Sequence, residues 1–410
     1  MNPIVQFSDK IEVHNYRHKM ELQKQLLSES TMLDTNKQLI CDFFNFCKSQ
    51  ERIGDARLVK YLYTLRKIGE IADKPFRDVT DKDINEILTR LQEGNSVKGK
   101  PYSLHSLNDF RKSISKFWRW LYYDEYQGDA PPPVKRMKTK QSNGKHEPEI
   151  YTKDEIMAFL NGTTNVRDKA FFSCLYDLQC RVSELLSRQI RHMRYTESGD
   201  VQILIEADKT GNSHWETLFE SVGNFTTWLR LHPLPNDPNA PLWTMRTQKT
   251  IKPLSYPAVR KVFHSTCKRQ SLRKLKIHTF RKSKATHDLA DGVPITYIEA
   301  RGSWSKGSKA LQDCYLSIQQ KDKDNAYKKK YGMAVNNAQN EVKELKRCTR
   351  CEAFMNQDAK FCARCGMPKD IKTALEVQSL ETKLPELVDK NMLSELVKKI
   401  VLEEMKKTKT

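Results

Sequence analysis

Ile277-His-Thr-Phe-Arg-Lys-Ser-Lys-Ala-Thr-His-Asp-Leu-Ala-Asp-Gly292, followed by Arg301-Gly-Ser-Trp-Ser-Lys-Gly-Ser-Lys309 and Gln312-Asp-Cys-Tyr315, is the stretch around which the chain is organised. Phe280, Ala285 and Leu289 predict a helix, and His278 and Arg281, three residues apart, then project to the same side of it. Both donate hydrogen bonds, Trp304 adds an indole N–H, and Tyr315 brings a hydroxyl one short helix further on. A single tyrosine among convergent donors suits attack on a phosphodiester, because the attacked phosphorus gains negative charge that must be neutralised without water. The stretch reads as half of a phosphoryl-transfer site.

Composition sets the outer bounds. A chain of 410 residues is expected to fold as two or three domains. Its formal charge of +20, from 71 Lys and Arg against 51 Asp and Glu, implies a polyanionic partner. Six Trp, sixteen Phe and fifteen Tyr exclude general disorder, so the basic surplus belongs to folded modules. No run of about 18 apolar residues is present and the N-terminus lacks an apolar signal-peptide core, so a cytoplasmic protein without membrane association is expected. Cys41, Cys47, Cys174, Cys180, Cys267 and Cys314 stand among apolar neighbours and are expected as buried free thiols.

The predicted fold class is α+β, mostly α. Residues 1–34 show no clear core stripe and are expected to form a loosely attached basic arm. Residues 35–127 carry four amphipathic patterns: Ile40, Phe43, Phe44 and Cys47; Leu58, Leu62 and Leu65; Ile84, Ile87, Leu88 and Leu91 behind an N-cap at Thr80 with Asp83; and Leu107 to Leu121. They predict a small helical domain, with Arg111, Lys112, Lys116 and Arg119 on the faces left exposed. Residues 128–150, with Pro131-Pro-Pro and then Lys135, Arg136, Lys138, Lys140 and Lys145, read as a basic linker. A mixed α/β domain is expected over 151–340. It opens on a capping box at Thr152 and Glu155, continues through a buried helix from Arg167 to Leu178, and turns at Arg181 with Glu184 three residues on. Val201–Ala207 and His214–Phe219 predict a hairpin whose turn holds Lys209, and Ser255 with Pro257 opens a later helix.

Arg181, Lys209, His278, Arg281, Trp304 and Tyr315, in that order, resemble the tyrosine recombinase (phage integrase) family over roughly residues 35–317, and the segment Gly302 to Tyr315 is most similar to archaeal members. The resemblance departs from the common pattern at Trp304, where many members have histidine, and at Thr279-Phe280, but neither removes a needed charge. It implies that the helical domain clamps DNA and that residues 151–340 are catalytic. Tyr315 would attack the scissile phosphate to give a 3′-phosphotyrosyl link and a free 5′-hydroxyl. Arg181 and Arg281 would hold the non-bridging oxygens, Lys209 would protonate the departing oxygen, His278 would assist proton transfer, and Trp304 would pack and donate one hydrogen bond. No ATP and no catalytic metal are implied. The implied partners are double-stranded DNA at attachment-type sites and further copies of the chain, as a tetramer integrating or excising a mobile element. The alternatives are a catalytically inactive DNA-binding protein of the same fold and a single-strand topoisomerase.

Cys348-Thr-Arg-Cys351 and Cys362-Ala-Arg-Cys365 form two Cys-x-x-Cys knuckles, which fit one closed structural zinc ion within a ribbon over 341–370. Arg347, Arg350, Lys360 and Arg364 suit contact with DNA as well as a contact with a neighbouring subunit. Residues 371–410 hold an amphipathic stripe from Met392 to Met405, expected as a helical tail that docks on protein rather than membrane.

Overall fold

The apolar stripes of the N-terminal half close on one another as helices. The computed structural model describes residues 11–94, 99–123, 130–138, 149–206, 213–246, 250–273, 276–314 and 320–333, with 347–348, 350, 355, 360–362, 365–369, 373 and 375 of the cysteine-rich segment. Lys209, Tyr315, Cys351 and almost all of the expected tail lie outside the described residues. The chain divides into two compact units, His14–His146 and Glu147–Thr410 with Met1–Val13.

The first unit is built from α1 (Tyr16–Ser28), α2 (Asp34–Ser49), α3 (Asp55–Ala72), α4 (Asp81–Glu93) and α5 (Leu104–Tyr122). Phe43, Phe76, Phe117 and Trp118 form its aromatic centre, with edge contacts at ring-centroid distances of 5.1 to 5.4 Å. Local chemistry starts α4 where the sequence predicts: the Thr80 amide donates to Asp83 at 2.8 Å while the Asp83 amide donates back to the Thr80 hydroxyl. Asn36, buried inside α2, donates to the Lys74 carbonyl at 2.9 Å and accepts from the Phe76 amide at 2.8 Å, which anchors the turn into α4.

Four expectations are corrected here. The described part of the arm expected over 1–34 is not loose: α1 packs on α3, burying Leu27, and Met32 seats against Gly69, where an added Cβ would stand 2.5 Å from its methyl carbon. Nor is the segment basic, since Lys10, Arg17, Lys19 and Lys24 are outnumbered by Asp9, Glu12, Glu21, Glu29 and Asp34. The linker expected over 128–150 is in part packed structure, because Pro133 and Val134 bury their apolar surface in a 3-10 turn against α4 and α5. Arg111 is buried rather than solvated, and Cys41 is exposed.

The second unit follows as α6 (Lys153–Gly162), α7 (Val166–Asp177), α8 (Val182–Leu186), β1 (Met193–Tyr195), β2 (Val201–Glu206), β3 (Ser213–Thr217), α9 (Val222–Arg230), β4 (Thr244–Arg246), β5 (Ile251–Pro253), α10 (Tyr256–Arg269), α11 (Thr279–Ala290), α12 (Ile295–Arg301), α13 (Lys309–Cys314) and α14 (Gln320–Lys330). β1, β2 and β3 form an antiparallel sheet with Ile203 opposite both Met193 and Glu216, and β4 pairs antiparallel with β5. Val201, Ile203 and Ile205 alternate inward, as a half-buried strand requires. α7 is buried on nearly every side because α6, α9 and α11 all pack on it, and Phe159, Phe172, Phe263 and Phe280 meet at its flank. The helical fold with a short antiparallel sheet is the predicted class.

Candidate active site

Arg181 caps α8 and is fixed twice by Glu184. Its backbone N–H donates to one carboxylate oxygen at 2.7 Å, and its guanidinium donates to the other at 2.5 Å. Glu184 is fully buried, and a carboxylate taken out of water needs cationic hydrogen-bond partners to offset its lost hydration. A second one arrives from α11: Arg281 Nη1 lies 4.0 Å from Glu184 Oε2. The two arginines predicted from distant segments are thus brought together on one carboxylate.

Arg281 is itself enclosed. Its Nη1 donates to the Gln179 carbonyl and its Nη2 to the Gly302 carbonyl, each at 2.6 Å, while its guanidinium carbon lies 3.8 Å from the centre of the Trp304 ring. Gln179 reaches this position with a left-handed backbone, φ 51°. Trp304 folds over Gly302 so closely that a Cβ there would fall 1.9 Å from the ring. Trp304 therefore joins the site as an aromatic cover on Arg281. His278 stands half-buried at the N-cap of α11, one turn before Arg281.

Lys209 and Tyr315 fall outside the described residues, but the elements that lead to them do not. Glu206 pairs with Ser213 at the ends of the strands flanking residues 207–212. α13 ends at Cys314, and its Leu311 is buried with Ala285, Ile298 and Trp304, which sets α13 against the helix that carries Arg281. Tyr297, Tyr327 and Tyr331, the other tyrosines near this end of the unit, are 68%, 62% and 69% exposed.

Sequence reasoning missed the polar frame around these groups. Lys284, almost wholly buried, lies 2.5 Å from Glu220 and 2.8 Å from Asp288, and Gln179 donates its side-chain amide to Asp288. Burial works against the ammonium, but Glu220 and Asp288 outweigh it and hold its pKa above the ordinary value. Asp177 accepts from the amides of Phe219 and Ser221 and from Arg301, which also reaches Glu216. Burial raises the pKa of Glu216, against the opposing charge of Arg301. Apart from Lys284 and Asp288, one helical turn apart, these contacts join residues far apart in sequence and leave no local pattern to read.

The second Cys cluster is partly described. The sulfurs of Cys348, Cys362 and Cys365 lie within 4.8 Å of one another, and those of Cys348 and Cys365 are 3.5 Å apart. That separation is far beyond the roughly 2 Å of a disulfide and near the ~3.8 Å edge of a tetrahedron with zinc–sulfur bonds of about 2.3 Å. The Arg350 N–H points at the Cys348 sulfur at 3.4 Å, which suits a thiolate. Three described thiols with this spacing fit a structural metal, and Cys351 is the fourth residue of the motif.

A family model described as "Phage integrase family" matches residues 151–321. Among solved structures, a lambda integrase tetramer bound to a Holliday junction is similar at TM-score 0.54 and 15% identity, over 73% of this chain and 82% of that one. A lambda integrase dimer bound to a COC′ core site matches at TM-score 0.52 and 16% identity, over 71% and 80%. XerH site-specific recombinase bound to palindromic difH substrate, a post-cleavage complex, matches at TM-score 0.52 and 15% identity, over 80% and 99%. At these identities the structural likeness is one of fold. No curated protein matches the chain by sequence.

Proposed function

Residues 151–321 are a domain of the phage integrase family, the tyrosine-type site-specific recombinases, and from that premise we propose that this chain cuts and rejoins DNA through a phosphotyrosyl intermediate. The observation that carries the reading is the meeting of Arg181 and Arg281 on Glu184. Two planar, permanently charged forks held by one buried carboxylate are preorganised for a phosphate, and neither needs to find its place during the reaction. Arg181, 23% exposed at its side chain, is the outer of the two; Arg281, at 1%, stands behind it.

In the proposed reaction the Tyr315 phenol gives up its proton as its oxygen bonds to the scissile phosphorus. The bond from phosphorus to the 5′-oxygen breaks, and Lys209 supplies the proton to that oxygen. His278 assists proton transfer, and Trp304 holds Arg281 in plane. A 5′-hydroxyl from another strand then attacks the phosphotyrosine, restores the phosphodiester and releases the tyrosine. The bond energy is kept in the covalent link, so neither ATP nor a catalytic metal takes part.

We further propose a cytoplasmic, DNA-associated protein that acts as a tetramer on attachment-type sites to integrate or excise a mobile element, with one structural zinc on Cys348, Cys351, Cys362 and Cys365. A lambda integrase of similar fold forms a tetramer on a Holliday junction, and the +20 charge suits duplex DNA. No helix among the described residues is long and apolar enough to cross a membrane.

Parallel selections from a randomised duplex library, one for binding and one for covalent capture, test the reaction. Wild-type protein is expected to leave a protein-DNA adduct that Tyr315→Phe abolishes while binding persists. Binding without an adduct in the wild type would instead mark a non-catalytic DNA-binding protein, and nicking without exchange between two sites would mark a topoisomerase.

A further inference from the structure

Arg301, the last residue of α12, donates four hydrogen bonds to three residues. Its Nε donates to the Asp177 carbonyl at 3.1 Å, its Nη2 to Asp177 Oδ1 at 2.9 Å and to the Thr217 carbonyl at 3.0 Å, and its Nη1 to Glu216 Oε2 at 2.9 Å. Asp177 is buried, and its remaining oxygen accepts from the Phe219 amide at 2.8 Å, the Ser221 amide at 3.0 Å and the Ser221 hydroxyl at 2.8 Å. The pair therefore locks the end of α7 to the end of α12 and both to β3.

Those two ends carry the acceptors of Arg281. Gln179 lies two residues beyond Asp177 and Gly302 immediately follows Arg301, and the carbonyls of Gln179 and Gly302 receive Arg281 Nη1 and Nη2. The Asp177–Arg301 pair and the Arg281 fork are thus neighbouring rungs between the same two segments. The spacing of the two carbonyls fixes the plane of the guanidinium, and the ion pair fixes that spacing. A lysine at 301 has three N–H donors on a single nitrogen and cannot reproduce four hydrogen bonds that leave from three separate nitrogens of the guanidinium.

We propose that Arg301, acting with Asp177, is a positioning residue that sets the orientation of Arg281 toward the scissile phosphate. The role rests on the recombinase reading of the same site. It makes a chemical prediction that a purely structural part does not. A scissile methylphosphonate is neutral before attack and carries one negative charge fewer than a phosphodiester in the transition state, so a misaligned guanidinium matters far less to its cleavage.

The test uses the full chain and the duplex obtained by covalent capture, synthesised with either a phosphate or a methylphosphonate at the mapped scissile position. Arg301→Lys and Asp177→Asn are expected to bind the phosphate duplex as wild type does and to cleave it about a hundred-fold more slowly, the scale of a small misplacement of a reacting group. On the methylphosphonate duplex their rates should converge with wild type. The double variant should be no slower than the slower single one, because one interaction is lost in all three. Wild-type rates on phosphate, or the same deficit on both duplexes, would overturn the role of Arg301 while leaving the recombinase reading intact. A wild-type chain that binds DNA but captures no duplex covalently from the library would overturn both. Should one variant fail to fold, as judged by its thermal transition, the other carries the same comparison.

Discussion

The guanidinium of Arg281 stacks on the ring of Trp304 at 3.8 Å because residue 302 has no side chain. Gly302→Ala would place a methyl 1.9 Å from that ring and force the indole off Arg281. The variant is expected to bind DNA as wild type does and to form adduct ten- to a hundred-fold more slowly, roughly the scale of a misplaced catalytic group. Rapid-quench assays on the captured duplex check this; an unchanged rate would show that the stack is dispensable.

Glu184 counter-charges Arg181 and, more distantly, Arg281 from a fully buried position. Glu184→Ala leaves both guanidiniums without it and is expected to destabilise the second unit by roughly 3–5 kcal/mol, as removal of one partner from a buried ion pair does elsewhere. Urea denaturation measures the loss. A drop below about 1 kcal/mol would mean that the carbonyls of Gln179 and Gly302 alone suffice for Arg281.

His287 should make stability fall in mild acid. Its Nδ1 shares a 2.7 Å hydrogen bond with the Tyr176 hydroxyl, and burial, with the charges of Lys153 and Lys284, lowers its pKa from 6.5 to about 4. Below the unfolded value of 6.5 the unfolded chain takes up a proton that the folded one refuses. Stability therefore declines as pH falls from 6.5 and levels off below about 4. At pH 5 the loss is roughly 2 kcal/mol, from 1.36 kcal/mol per unit over about 1.5 units. Comparing urea midpoints at pH 7 and pH 5 for wild type and His287→Gln isolates this group, whose contribution should vanish in the variant.

Metal analysis of the purified chain is expected to find one zinc, released by thiol modification and absent from Cys362→Ser. The thermal transition of residues 151–321 should survive that change, since the described cysteines of the cluster pack with Met355 rather than with the main core. Oxidised cysteines in a metal-free protein would contradict the site.

What could be read from sequence was what is local. The caps at Thr80 and Thr152 act within one turn, and the stripes of α2 to α5 repeat at helical spacing, so both were legible. α1 was not, because Leu27 is its only fully enclosed residue and the cover comes from α3. β1, β4 and β5 are three residues each, too short to show alternation, and α9 was hidden just ahead of the prolines at 233, 235, 238 and 241. At the site, Arg181 and Arg281 stood out by residue type and order. Their junction at Glu184 and the Asp177–Arg301 clamp depend on contacts between segments that only the folded chain brings together.

The left-handed backbone of Gln179 bears on how this protein would respond to engineering. Glycine accommodates φ 51° freely, whereas a longer side chain gives up on the order of 1 kcal/mol to hold it. Gln179→Gly would relieve that cost, yet it deletes the buried amide that reaches Asp288, a charge-assisted bond worth about 1.5–3 kcal/mol, so the exchange is a net loss. Selection for thermostability should therefore keep glutamine at 179 and leave the backbone strain in place.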